Sequence, residues 1–234
     1  LGNFLFRTGR YAEAVPLYRH VLELDPDNAS GYNNLGVNFF MLGKFDRAVE
    51  TWNHIINDSP TPSVIHNYAN SLYYLGRFKE SVRMYEKALD LSENDFWIWE
   101  NMAASLHHID GASAREIEVT RRAIELAQQA LQINPNDRKA LSRISLLYNR
   151  SGDKQKAIES IERLKDLGWD DPDVSFIQAK NLLELGDPKG ALSELERAKE
   201  MGFPTVLIAA DPDFDLLRDS PRFTNLVDRS VEEG

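Results

Sequence analysis

No cysteine occurs among the 234 residues, which removes disulfides, thiolate metal sites and a cysteine nucleophile together and leaves the redox compartment open. No apolar run approaches the roughly 20 residues of a membrane-spanning helix, and no signal-peptide pattern is present. Direct membrane insertion is therefore not expected, and a cytoplasmic location is the favoured expectation. Phosphate-binding loops, nucleophile elbows and zinc-binding helix motifs are missing too, so neither an enzymatic activity nor a cofactor is expected. Excess basic charge is also lacking: the net charge is −10. Residues 1–95 carry 9 basic and 12 acidic side chains, 96–169 carry 11 and 10, and 170–234 carry 7 and 15. Contacts to a phosphate backbone rely on Lys and Arg, so nucleic acid is not an expected partner. The chain opens with Leu1-Gly2 inside a repeat rather than with methionine, which predicts a fragment or a processed form.

What the chain does contain is a recurring glycine turn: Thr8-Gly9-Arg10-Tyr11, Leu42-Gly43-Lys44-Phe45, Leu75-Gly76-Arg77-Phe78, Ser151-Gly152-Asp153 and Leu185-Gly186-Asp187. Successive glycines lie 34, 33, 76 and 34 residues apart, and 76 exceeds two periods of 34 by 8. A fixed period of this size predicts stacked units sharing one core rather than a globular domain. Between the glycines, apolar residues fall at helical spacing, as in Ala12, Val15, Leu17, Tyr18, Val21, Leu22 and then Tyr32, Leu35, Gly36, Phe39, Phe40. Each period thus holds two helices. The second is closed by proline or an acidic-polar turn: Asp25-Pro26-Asp27, Ser59-Pro60, Ser92-Glu93-Asn94-Asp95 and Asn134-Pro135-Asn136-Asp137.

These residues resemble the tetratricopeptide repeat, a helix–turn–helix unit of 34 residues with an aromatic, a Leu-Gly pair, a second aromatic, a small residue and a closing proline. Residues 29–61 match best, through Tyr32, Leu35-Gly36, Phe39, Ala48, Trp52 and Pro60. The small residue persists elsewhere as Ala14, Ser81, Ala123, Ala157 and Ala191, where two helices need to approach closely. Six units are read: 1–28 (truncated), 29–61, 62–95, 96–137, 138–171 and 172–203. The resemblance implies an all-α fold, a right-handed α-solenoid of antiparallel helix pairs with a concave groove.

Unit 96–137 carries about eight extra residues near His107-His108-Ile109-Asp110-Gly111-Ala112-Ser113. Ser113 is expected to cap a long helix reaching Ile133, with Glu116 completing a capping box, and this helix should protrude by about two turns. After the sixth unit, residues 204–234 form a capping segment that resembles one following such repeats in bacterial multidomain proteins, including adenylate cyclases and kinases. Its Leu207, Phe214, Leu217, Phe223 and Leu226 are expected to cover the last repeat.

His107 and His108 are adjacent and point about 100° apart on a helix, which suits a polar helix end better than a shared metal. The carboxylates sit mostly at turns and outer faces, where nothing raises their pKa for acid–base catalysis. Trp52 and Trp99 are expected in the inter-helix core, whereas Trp97 is read as exposed and suited to partner contact.

Asn34, Asn67 and Asn101 recur at one place on successive first helices. A row of carboxamides suits the backbone of an extended peptide, since each offers donor and acceptor. Similar rows line the groove of O-linked N-acetylglucosamine transferases, although asparagine is also common at this position in the family. Lys139 and Arg143 are four residues apart and share one helix face. The carboxylate-clamp subfamily takes a Lys and Asn, an Asn, and a Lys and Arg from three consecutive units; here His66 and Asn70, Asn101, and Lys139 and Arg143 stand at those places. The departure is His66 in place of lysine, an imidazole mostly neutral at pH 7. The expected function is a non-enzymatic scaffold that binds a partner peptide or helix; an acidic or C-terminal carboxylate segment is one candidate ligand, and the alternative for Lys139 and Arg143 is a solvated basic turn paired with nearby acids. Two alternatives are a regulatory module of a larger bacterial enzyme and a scaffold that self-assembles into homo-oligomers.

Overall fold

The computed structural model describes residues 1–58 and 60–228, so Ser59 of the expected Ser59-Pro60 turn and residues 229–234 of the expected cap lie outside the described residues. All regular structure among the described residues is helical, in two compact units that meet in sequence at Asp110–Gly111. The first unit holds α1 (Gly2–Arg7), α2 (Tyr11–Leu24), α3 (Ala29–Met41), α4 (Phe45–Asn53), α5 (Pro62–Tyr74), α6 (Phe78–Leu89) and α7 (Phe96–His107). The second holds α8 (Ser113–Ile133), α9 (Arg138–Arg150), α10 (Lys154–Leu167), α11 (Pro172–Glu184), α12 (Pro188–Glu200), α13 (Thr205–Ala210), a 3₁₀ turn (Pro212–Leu217) and α14 (Pro221–Val227). Within each unit, helices adjacent in sequence pack as antiparallel pairs. The boundary at Asp110–Gly111 falls inside the segment 96–137, whose two helices belong to different units.

The glycine turn works as a helix stop. Gly43 adopts φ 68°, a left-handed conformation that costs a Cβ-bearing residue about 1–2 kcal/mol. Its N–H donates to the Phe40 carbonyl and the Lys44 N–H to the Phe39 carbonyl, both at 2.9 Å. This is the Schellman arrangement, which satisfies the last carbonyls of α3 and turns the chain straight into α4. The acidic-polar turns do the opposite job at helix starts: side chains of Asn28, Thr61, Asp95, Asp137 and Asp171 accept from the first-turn N–H groups of α3, α5, α7, α9 and α11. Three of these caps, Asp95, Asp137 and Asp171, are acidic.

The expected capping box at Ser113 does not form. The N-cap position is Ala112, with no side-chain cap bond, because the Glu116 N–H already bonds the Ala112 carbonyl at 2.9 Å and Ser113 becomes the first helical residue. α8 is nonetheless long, 21 residues against 9–14 for α2, α4, α6, α10 and α12.

The small residue of each pair lies where two helices press together. Ala14, Ala48, Ser81, Ala123, Ala157 and Ala191 are all 0% exposed. At Gly36 the fit is tighter, since a Cβ there would stand 2.4–2.9 Å from the Trp52 ring. Trp52 is fully buried, and its indole N–H donates to Asn33 Oδ1 at 3.3 Å. Trp99, expected to be equally internal, is only half buried: its indole N–H reaches out to the Glu93 carbonyl at 2.7 Å. Trp97 is half buried rather than exposed, tilted against Phe96 with ring centroids 4.7 Å apart.

In the second unit, Leu207, Phe214, Leu217, Phe223 and Leu226 are all buried. Phe214 meets Phe176 of α11 edge to face at 5.4 Å, and Phe176 stacks on Phe203 at 4.3 Å. A buried charge network pins this segment: Lys180 Nζ lies 2.6 Å from Asp211 and 2.8 Å from Asp213, while Arg150 bridges Asp213 at 2.8 Å and Glu184 at 3.2 Å. Burial pushes the Asp211 carboxyl pKa up, opposed by Lys180. Burial acts to lower the Lys180 pKa, but Asp211 and Asp213 outweigh it and hold the ammonium protonated.

Two outcomes follow from this packing. Gly36→Ala should lower unfolding stability by about 1–3 kcal/mol through overpacking against Trp52, read by urea denaturation; an unchanged midpoint would show that the ring has room to move. Lys180→Met should cost about 3–5 kcal/mol by stranding buried carboxylates. Adding Asp211→Asn, which keeps the cap acceptor, should recover part of that loss, with a coupling of about 0.5–3 kcal/mol; strictly additive effects would contradict the network.

Candidate functional site

Five of the seven residues singled out in the sequence lie in the first unit, on its first helices: Asn34 on α3, His66, Asn67 and Asn70 on α5, and Asn101 on α7. All five are half buried. α3, α5 and α7 pack side by side, so Asn34, Asn67 and Asn101 follow one another at equivalent positions on neighbouring helices. Backbone and side chain cooperate along this face. The Asn34 carbonyl accepts from Asn38 Nδ2 at 2.7 Å, the Asn67 carbonyl from Ser71 Oγ at 3.2 Å, and the Asn101 carbonyl from Ser105 Oγ at 3.1 Å.

Three of the five are tied to neighbours. Asn101 Nδ2 donates to His66 Nε2 across 2.9 Å, linking α7 to α5. An amide nitrogen only donates, so in this bond the imidazole accepts at Nε2 and carries its proton on Nδ1. Asn70 Oδ1 accepts from the Tyr85 hydroxyl at 2.5 Å. The same bond joins Tyr18 to Asn3 at 2.6 Å, also 15 residues apart, one repeat position after the small residues Gly2 and Ala69. Asn70 therefore has an architectural task, which recurrence of the Asn–Tyr spacing could have disclosed.

Lys139 and Arg143 lie on α9 in the second unit. Lys139 Nζ sits 2.5 Å from Asp173 and 3.5 Å from Asp171, both at the start of α11. Hydrogen bonding to Asp173 raises the Lys139 pKa against a smaller opposing effect of burial. About half of each side chain is exposed, so the pair contributes little to stability. A ligand carboxylate at Lys139 competes with these two aspartates. Arg143, one turn along, is half buried.

One cluster in the first unit escaped the sequence reading. Arg19 of α2, Tyr32 and Phe39 of α3, and Arg47 and Glu50 of α4, with His54 just beyond it, line a cavity of about 290 Å³. The sequence signal was weak, because the two arginines are 28 residues apart and at different places in their repeats. Among the described residues no helix is long and apolar enough to cross a membrane.

Comparison with known proteins bears on both units. A family model for the TPR repeat matches residues 2–43, and tetratricopeptide repeat models match 62–95 and 119–172. The TPR repeat-containing protein YpiA of Bacillus subtilis is 22% identical over 228 residues, 85% of this chain and 53% of that protein. The BBSome complex member BBS4 of Bos taurus is 25% identical over 154 residues, 65% of this chain and 28% of that protein. The chain thus spans about half, or less, of the length of these curated relatives. Among solved structures, Pseudomonas aeruginosa pilF gives a TM-score of 0.56 at 20% identity, covering 86% of this chain and 89% of its own. The TPR protein TTC0263 of Thermus thermophilus gives 0.56 at 17%, covering 79% and 98%. Likeness at this identity concerns the fold alone, that of a helical repeat scaffold. Matched by repeat models over more than half of its length, the chain belongs to the tetratricopeptide repeat family.

Proposed function

We propose that the chain is a non-enzymatic binding scaffold whose first unit receives an extended segment of a partner protein along the face of α3, α5 and α7. The observation that carries this reading is the register of Asn34, Asn67 and Asn101, half buried at equivalent positions on three packed helices. Side-chain amides at repeat spacing can pair with peptide groups without reading side chains, which suits an extended ligand. The His66–Asn101 bond holds both groups in place before a ligand arrives, so less rotamer entropy is lost on binding. His66 adds no fixed positive charge in this state, and Asn70 orders the face through Tyr85 rather than by contact.

Lys139 and Arg143 supply a contact in the second unit, selective for an acidic group able to displace Asp171 and Asp173 from the ammonium. The exchange of one carboxylate for another is nearly balanced, so this contact adds selectivity more than affinity.

Display of a random peptide library against the purified chain tests the reading. Selected peptides should bind the Asn34→Ala/Asn67→Ala/Asn101→Ala variant at least about tenfold more weakly, as expected when several net hydrogen bonds of about 0.5–1.5 kcal/mol are lost. The variant should unfold within about 1 kcal/mol of the parent, because these side chains are only half buried. Peptides that bind both proteins equally would contradict the amide face.

A further inference from the structure

We propose that the cavity between α2, α3 and α4 is a second recognition site, one that accepts a carboxylate side chain of a partner protein beside an apolar group. The guanidinium carbons of Arg19 and Arg47 lie 5.8 and 6.0 Å from the centroid of one ring, Phe39. A guanidinium that rests near an aromatic face keeps its N–H edge available to an anion. Tyr32 and His54 stack at 4.7 Å and 15° and form a flat wall of the same cavity. Phe39 and Leu35 are buried in its floor, whereas Arg19 and Arg47 are exposed.

Neither guanidinium is in an ion pair among the described residues. Elsewhere in the chain arginines take a carboxylate three residues away, as Arg10–Glu13, Arg77–Glu80 and Arg115–Glu118 do at 2.6–3.0 Å. Arg47 has Glu50 three residues on and lining the same cavity, yet the two do not pair. Two like charges gathered at one ring repel each other, and an incoming anion relieves this repulsion. With Glu50 the cavity carries one net positive charge when His54 is neutral. A singly charged carboxylate neutralises it, whereas a phosphate dianion overshoots.

At two equivalent places in other repeats the corresponding groups are already paired. One period on, Asn53 and Glu80 replace the two arginines; Tyr68 donates to Asn53 at 2.9 Å, and Glu80 is held by Arg77. In the second unit, residues 109 positions later line a cavity of about 570 Å³ with Gln128, Tyr148, Glu159 and Arg163. There Gln128 donates to the Tyr148 hydroxyl at 2.9 Å, and Lys156, the counterpart of Arg47, is paired with Asp153 at 2.6 Å. The cavity recurs once in the second unit, and of the places compared the first alone gathers two guanidiniums outside any ion pair among the described residues. Asn34 lies at least 100° around α3 from Leu35 and Phe39 at 100° per residue, so this site does not rest on the amide face.

The test is an NMR titration of the labelled full chain with N-acetylglutamate amide, its neutral glutamine analogue and N-acetylphosphoserine amide. Saturable shifts at Arg19, Arg47, Phe39, Tyr32 and His54 with the glutamate probe, absent with glutamine and reduced by added salt, are expected. Arg19→Gln/Arg47→Gln should weaken binding about tenfold or more. Glu50→Gln should tighten it about two- to fivefold by removing a like charge, a gain that misfolding cannot mimic. Shifts that persist in the double variant, shifts equal for glutamine, non-saturating shifts, or tighter binding of the phosphoserine probe would each overturn the carboxylate assignment.

Discussion

Two helices cross closely only where one of them presents almost no side chain, and that constraint underlies the rest of this molecule. It explains six small residues at zero exposure and a glycine whose missing Cβ is occupied by a tryptophan ring. Once each pair is locked at this point, the first helices are held in register from repeat to repeat, and Asn34, Asn67 and Asn101, each two residues before Gly36, Ala69 or Ala103, follow that register.

The fold was legible in the sequence because its determinants are local and periodic. Glycine at the helix stop, polar caps at the helix start and a small residue at the crossing each act within one repeat, and repetition makes them visible above noise. The apolar pattern Leu207, Phe214, Leu217, Phe223 and Leu226 likewise marks side chains that are buried, Phe214 against Phe176 of α11. What the pattern could not foresee is how polar groups pair across distance. Lys180 of α11 finds Asp211 and Asp213 in the segment after the last repeat, outside the period. Lys139 and Asp173 are one period apart, at equivalent places on α9 and α11, so spacing makes them neighbours and only the choice of rotamer pairs them. Ser113 shows the same limit at short range, since one residue of extra winding moves a cap onto Ala112 and strips a capping box of its function.

The candidate site was partly legible. The register of Asn34, Asn67 and Asn101 is a repeat property and survives into the structure, whereas the task of Asn70 required knowing that Tyr85 points back at it. The arginine cavity was invisible because Arg19 and Arg47 hold different repeat positions and become neighbours only through packing of α2 and α4 around Phe39. Repeat architecture thus offers two kinds of surface in the first unit. One is periodic, and we propose it for a peptide backbone; the other is an exception within the period, and we propose it for one charged side chain. A partner that engages both gains from linked binding without either contact being strong alone.

Whether the periodic amide face binds a peptide backbone is decided by a crystal structure of the chain with a library-selected peptide. An extended peptide is expected, with backbone N–H and C=O groups about 2.7–3.2 Å from the amides of Asn34, Asn67 and Asn101. A peptide seated elsewhere, with these three amides making no contact to it, would rule out peptide recognition by the amide face.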